Sequence, residues 1–259
     1  MIDLFIDLGN SRIKFAVVDD EGYEYIGAYP IKPFKDNTDV AALLASLNTV
    51  PDNVYVASVS SETIEHELRE AISSLWSIFP IFLNTQVQCC ELKNGYKEPL
   101  KLGVDRWMSL VGASAFKKSS FLVVDAGTAI TLDAVHDNQH LGGFIVPGIQ
   151  TMRESLSDNT AKLTNECDAI EEFDTDEASS KDFVPTDTQT AICAGTLYMA
   201  ASFIDSAIFD LEHELGCRFK VFVTGGDGYK LASLINSNSE YIEDLVLLGM
   251  INMTESVKK

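Results

Sequence analysis

One pattern occurs twice in this chain. Asp7-Leu8-Gly9-Asn10-Ser11 follows the apolar run 1–6, and Asp125-Ala126-Gly127-Thr128-Ala129 follows the apolar run 121–124. The two aspartates are 118 positions apart, 125 − 7. Each copy sets a carboxylate at a strand end, a glycine two positions on, a hydroxyl side chain, and then a second strand. Such a turn suits phosphate, because backbone N–H groups must approach oxygen closely and a side chain would stand in the way. One copy alone reads as an ordinary turn, since Asp and Gly are default turn residues. Two copies after equivalent strands point to a duplicated hairpin, and so to two related domains facing across a nucleotide cleft.

The length of 259 residues accommodates two domains, at roughly 100–200 residues each. With 46% hydrophobic residues, both have core material. No run reaches the roughly 18 consecutive apolar residues of a membrane span. The start, with Asp3 directly in a strand, lacks the basic region of a signal peptide. Acidic residues outnumber basic ones 39 to 19, for a formal charge of −20. A surface of that sign disfavours nucleic acid and anionic membranes. It repels ATP as well, so a nucleotide site here needs cations. The five cysteines (Cys89, Cys90, Cys167, Cys193 and Cys217) are odd in number and lack C-x-x-C spacing. They argue against a disulfide framework and for a reducing, cytoplasmic setting.

Periodicity organises the rest. Residues 12–20 form the hairpin partner of the first strand, with Ile13, Phe15 and Val17 at period two. Residues 38–47 and 62–76 carry helical apolar faces, separated by a strand at 54–59. Residues 84–102 read as irregular, and a helix starts near Val104. Lys117-Lys118-Ser119-Ser120 is a polar break, giving an N-terminal domain 1–117 and a C-terminal domain 118–259. The second half restarts with strands at 121–125, 129–135 and 140–146, and Pro147-Gly148 ends the last of these. Residues 166–182 hold eight acidic residues and one lysine and read as a solvated loop, with a lid as the minor alternative. A long helix spans about 188–215 and stops at Gly216, followed by a strand ending in Thr224-Gly225-Gly226 and an apolar last helix. The class is α/β with antiparallel hairpins mixed in.

Several side chains have chemistry to offer. Asn10, Ser11 and Thr128 bring hydrogen-bonding groups to the two turns, and Lys14 a point charge for phosphate. Asp7 and Asp125 are hard oxygen ligands. In Gly103-Val104-Asp105-Arg106, the carboxylate suits proton abstraction from a hydroxyl and the guanidinium suits an anionic substrate group. The same Asp-Arg pair also reads as plain charge patterning at a helix start. Tyr96 beside Arg106 favours a small carboxylate ligand. His66, His136, His140 and His213 read as structural, since no third ligand accompanies the His136/His140 spacing. Two classes compete: a kinase of a small carboxylate-bearing substrate, and a non-catalytic regulatory protein of the same fold. The presence of Asp7, Asp105 and Asp125 together favours an enzyme.

In order, Asp7-x-Gly-Asn-Ser-x-x-Lys14, Gly103-x-Asp105-Arg106, Asp125-x-Gly-Thr-Ala-x-Thr131-x-Asp133 and Gly142-Gly143-x-x-x-Pro147-Gly148 resemble the type III pantothenate kinases. That family belongs to the acetate and sugar kinase/Hsp70/actin superfamily. The likeness continues through Thr160-Ala161-Lys162-Leu163, Thr188, Thr224-Gly225-Gly226 and Asp244-Leu245-Val246. It implies two ribonuclease-H-like (actin-like ATPase) domains with mixed sheets, and a homodimer whose dimer helix lies in the second domain. It implies ATP-dependent phosphorylation of pantothenate to 4′-phosphopantothenate, the first step of coenzyme A synthesis. Mapped by match, ATP contacts are Asp7, Leu8, Gly9, Asn10, Ser11, Arg12, Ile13, Lys14 and Thr128. Pantothenate contacts are Tyr96, Gly103, Val104, Asp105, Arg106 and, from the neighbouring subunit, Thr188. Asp105 is the implied general base, Asp125 the monovalent-cation ligand (K⁺ or NH₄⁺), and Asp7 a ligand of Mg²⁺. Three positions depart from the family pattern: Asp187 for Asn, Thr164 for Pro, and Ser11 for Thr.

Overall fold

The computed structural model describes residues 1–31, 38–47, 49–116, 119–159 and 184–258. The Lys117-Lys118 part of the polar break, the Thr160-Ala161-Lys162-Leu163 motif with Thr164, the acidic 166–182 segment and Cys167 lie outside these residues.

The chain divides into two compact units. One comprises Met1–Phe121, Asp133–Gly142 and Asp244–Lys259; the other comprises Leu122–Leu132 and Gly143–Glu243.

The first unit opens with β1 (Asp3–Leu8), β2 (Arg12–Asp19) and β3 (Gly22–Pro30). α1 (Thr38–Ser46), β4 (Asn53–Ser58), α2 (Glu62–Trp76) and β5 (Ile81–Phe82) follow. The sheet order is β3-β2-β1-β4-β5, antiparallel across β1–β2–β3 and parallel across β1–β4–β5. β1 is central and buried along its whole length, Asp3 and Asp7 included. Leu4, Ile6, Phe15, Val54, Val56, Leu68 and Ile72 form the core against the two helices. β3 escapes sequence reading because it is an edge strand with no fully buried position, and its register slips at Phe15/Ala16. An edge of that kind carries no clean alternation.

Two further strands emerge from the stretch read as irregular: β6 (Gln88–Cys89) and β7 (Leu92–Lys93), a short antiparallel hairpin. α3 (Val104–Ser114) comes next, then β8 (Ser120–Ala126), β9 (Ala129–His136) and β10 (Gln139–Pro147). α4 (Ile149–Asn159), α5 (Thr188–Leu215), β11 (Lys220–Thr224), α6 (Gly228–Leu234), β12 (Ser239–Tyr241) and α7 (Leu245–Lys258) complete the chain. The second sheet has the order β12-β11-β8-β9-β10-β7-β6.

α3 and α7 touch backbone to backbone. A Cβ on Gly249 would stand 1.8 Å from the Met108 carbonyl oxygen, and one on Gly112 2.3 Å from that of Leu245. Both glycines are therefore demanded by packing. Trp107, Met108, Leu110 and Val111 are sealed in the same layer, so the helix that bears Asp105 and Arg106 is rigidly seated.

α5 is long and apolar enough, by length and composition alone, to cross a membrane, a property that core helices share. One expectation needs correction. Cys89, Cys90 and Cys217 are free thiols, but Cys193 is disulfide-bonded.

Candidate active site

The start of α3 concentrates charge in little space. Gly103 is its N-cap, and a Cβ there would lie 2.7 Å from Asp105 Oδ1. Glycine thus leaves the Asp105 carboxylate its position in the first turn, where the helix dipole favours an anion. Asp105 Oδ1 accepts a hydrogen bond from the Arg106 amide at 2.7 Å. Burial pushes the Asp105 carboxyl above its ordinary value, with the Arg106 amide and guanidinium pulling partly back. A carboxylate so destabilised has a stronger appetite for a proton.

Arg106 points into the protein. Its Nε donates to Asp133 Oδ2 at 2.7 Å and its Nη2 to Asp133 Oδ1 at 2.6 Å, a two-pronged pair. Nη1 donates to the Tyr96 hydroxyl at 2.7 Å. Arg106 is 6% exposed and Asp133 1%. Burial alone would lower the guanidinium pKa, but the Asp133 contacts more than offset it and the value rises. His140, also 1% exposed, sets Nε2 2.9 Å from Asp133 Oδ1 and stacks its ring on Tyr96 at 5.8 Å between centroids. Its Nδ1 and the indole N–H of Trp107 are buried without a partner. Tyr96 is further held by Asn94, whose Oδ1 accepts its amide at 3.0 Å.

The first Asp-x-Gly turn joins β1 to β2. Gly9 N–H donates to the Arg12 carbonyl at 3.0 Å, and Asp7 lies opposite Lys14 in the ladder. A Cβ on Gly9 would meet that carbonyl at 3.1 Å. Asn10, Ser11 and Arg12 are exposed, whereas Leu8 and Ile13 are core residues that offer only their backbone to a ligand.

The second turn joins β8 to β9, with Gly127 N–H donating to the Ala129 carbonyl at 3.0 Å. The Thr128 carbonyl accepts from Gly148 N–H at 2.9 Å and from Thr151 Oγ1 at 2.7 Å. A Cβ on Gly148 would be 2.1 Å from the Gly127 carbonyl, and one on Gly225 2.5 Å from that of Ala126. Pro147-Gly148 and Thr224-Gly225 are thus explained as close approaches to one turn. Gly225 also has φ +91, a conformation glycine tolerates. Thr188 opens α5, and Asp187 caps it by accepting from the Thr190 amide at 2.9 Å. That hydrogen bond holds the Asp187 carboxyl below its ordinary value; Asn would cap the helix equally well, so nothing in the cap explains the departure. Among the described residues, no three His, Cys, Asp or Glu side chains converge as a metal cluster.

The family model for type III pantothenate kinases matches residues 3–209. The chain belongs to the type III pantothenate kinases. It is 37% identical to a type III pantothenate kinase of Hydrogenovibrio crunogenus over 98% of this chain and 99% of that one. It is 33% identical to another from Nitrosococcus oceani, covering 99% and 95%. Solved structures share the fold at low identity. The ethanolamine utilization protein EutJ of Carboxydothermus hydrogenoformans has a TM-score of 0.55 at 13% identity, with 99% and 90% covered. The activator of 2-hydroxyisocaproyl-CoA dehydratase from Clostridium difficile, with bound ADPNP, has 0.54 at 11%, with 100% and 96% covered.

The fold is the mixed α/β architecture of the actin-like ATPases and sugar kinases, with two sheets. This pantothenate kinase transfers a phosphoryl group from ATP to pantothenate in coenzyme A synthesis. The reading of a regulatory protein is thereby set aside.

Tyr96, Gly103, Val104, Asp105 and Arg106 lie together at the start of α3. Sequence reading missed two members of this group. Asp133 carries no sequence signal beyond its motif, and His140 reads as a plain structural histidine. The turn Asp137-Asn138 has positive φ at both residues, 48° and 60°, as in the tightest hairpins. With two residues in the loop, His140 falls on the same face as Asp133, one diagonal step away. That spacing was the available signal.

Proposed function

We propose that catalysis uses Asp105 as general base, with pantothenate held at Tyr96 and at residues Gly103 to Arg106. The carrying observation is the half-buried Asp105 carboxyl, raised in proton affinity beside a guanidinium locked by Asp133. Asp105 takes the proton of the primary hydroxyl as its oxygen attacks the γ-phosphorus, and ADP leaves. Positioned proton removal of this kind is worth roughly 10²–10⁴ in rate. Arg106 spends three of its five N–H donors on Asp133 and Tyr96. The remaining two face the task of holding the pantothenate carboxylate.

ATP phosphates are assigned to the Asp7–Lys14 turn and to Thr128. Asp7 holds Mg²⁺ in this reading, and Asp125 the monovalent cation, K⁺ or NH₄⁺. The donor set fits: Mg²⁺ is usually bound by one or two carboxylates together with phosphates and water, so no three-ligand cluster is needed. The cations supply positive charge that offsets the phosphates in a protein of net charge −20. Each compact unit contains one Asp-x-Gly turn, which supports two ribonuclease-H-like domains; the bounds 1–117 and 118–259 fit less well, since residues 133–142 and 244–259 group with the first unit.

A homodimer covers α5 in the same reading, with Thr188 serving the partner's site. Arg153 donates to Thr196 Oγ1 at 3.0 Å and to the Cys193 carbonyl at 3.1 Å, fixing one face of α5. Tyr198, Met199 and Phe209 remain exposed on the helix. A second copy in the cytoplasm suits these residues, and sedimentation of the purified enzyme tests it. The decisive assay compares 4′-phosphopantothenate formation in K⁺ and in Na⁺, with Asp105→Asn alongside. Product in K⁺ and a deficit of at least about 100-fold in the variant are expected. Full activity in Asp105→Asn removes the general-base role.

A further inference from the structure

The hairpin of β6 and β7 turns on Cys90 and Glu91, with φ +50° and +70°. Positive φ at both loop residues is the geometry that favours Asn-Gly or Gly-Gly. The neighbouring turn Asp137-Asn138 obeys that preference; Cys90-Glu91 does not. A local rule broken in this way marks a place where the side chain matters more than the backbone's ease.

Cys89 and Cys90 put their sulfurs 3.4 Å apart. Cys89 is buried with Sγ 3.9 Å from Ser256 Oγ, and exposed Cys90 donates to the Asn252 carbonyl at 3.6 Å. Both contacts are to α7. Two positions beyond β7's start, Asn94 donates to the Gln86 and Pro99 carbonyls at 3.2 and 3.0 Å and accepts from Tyr96. The hairpin and the Tyr96 loop are therefore one mechanical piece.

We propose that Cys89 and Cys90 form a vicinal dithiol that closes to a disulfide by exchange with a small-molecule disulfide, and that closure loosens the Tyr96 loop. Exposed Cys90 attacks first, forming a mixed disulfide and releasing one thiol. Cys89 then attacks the Cys90 sulfur and releases the second. Two S–H bonds and one S–S bond are exchanged for one internal S–S bond and two external thiols, so protons and electrons balance. Burial, then the hydrogen bond with Cys90, pushes the Cys89 thiol up to about 12, which makes the second step the slower one.

Closure must shorten 3.4 Å to about 2.04 Å, which draws sulfur away from α7. Adjacent Cα atoms are about 3.80 Å apart, closer than in ordinary disulfides, so the bond is readily reduced and belongs to the labile, regulatory kind.

The kinetic consequence rests on the reading of Tyr96 as a pantothenate contact; the disulfide does not. The intact enzyme is incubated with glutathione disulfide, then mapped by mass spectrometry and assayed. A loss of about 2 Da, two hydrogens, is expected on the peptide bearing Cys89 and Cys90, reversed by dithiothreitol. Pantothenate KM is expected to rise roughly three- to tenfold, the scale of one weakened hydrogen bond, with kcat unchanged. Cys90→Ser keeps untreated kinetics and loses both responses. A persistent glutathione adduct on Cys90, or no mass change there, overturns the disulfide. Unchanged KM in fully oxidised enzyme overturns the coupling. Tyr96→Phe with unaltered KM sinks the Tyr96 reading instead, while the mass loss still supports the dithiol.

Discussion

The turn at residues 7–14 and the start of α3 handle charge in opposite ways. The turn carries Asn10, Ser11 and Arg12 in solvent on an independently satisfied hairpin. The start of α3 seals Arg106 and Asp133 inside the protein, together with His140. In the first place, on the proposed reading, side chains reach the ligand from an exposed turn. In the second, the groups proposed to position the substrate also hold the structure together, so function and stability are expected to change together. Asp105 is the exception within the second region: its burial opposes its charge, so in its proposed role it serves chemistry at the expense of stability.

Substitutions break or sharpen this contrast. The largest effect belongs to Asp133→Ala, which strands the Arg106 guanidinium. A loss of about 3–5 kcal/mol is expected from an unpaired buried charge, seen as a lower denaturation midpoint together with lost activity. A normal midpoint would show that the buried pair does not brace the fold.

Asp105→Asn is next, and it should divide the two properties. kcat falls by roughly 10²–10⁴, while Tm holds or rises by about 1–3 °C, since the amide carries no charge to bury. Calorimetry on the purified variant checks it, and a drop in Tm would contradict the burial argument.

Lys14→Ala is the test on the open side. Losing a charge-assisted contact raises KM for ATP by roughly 10- to 100-fold, with stability changed by no more than about 0.5 kcal/mol. A destabilised variant would erase the distinction between the regions.

The smallest effect is in pH dependence. Asp105 must be deprotonated to accept a proton, and burial raises its pKa. Activity is therefore lost as pH falls through a value above the ordinary 3.8, and the acid limb of kcat/KM lies higher than for an exposed aspartate. Its disappearance in Asp105→Asn assigns the limb to this residue.

Much of this was legible beforehand. β2, α1 and α2 follow from period two or 3.6, β1 from its apolar run, and Gly216 stops α5 with φ +63 as a left-handed C-cap. Cys90-Glu91 hid a hairpin because neither residue advertises a left-handed turn. β3 hid because an edge strand has no fully buried face. His140 hid because a lone histidine carries no period, and its meaning comes from Asp133 across a turn.

The central strands, the main helices, the two Asp-x-Gly turns and the family can be read from the sequence alone. These depend on local periodicity and on glycine, which act over a few residues. The tertiary structure alone decided that Arg106 is spent largely on Asp133, that Gly148 and Gly225 brace the second turn, and that α7 joins the first unit against α3. Each of these joins residues far apart along the chain. Close packing and the cost of burying an unpaired charge select such partners, and neither leaves a periodic mark in the sequence.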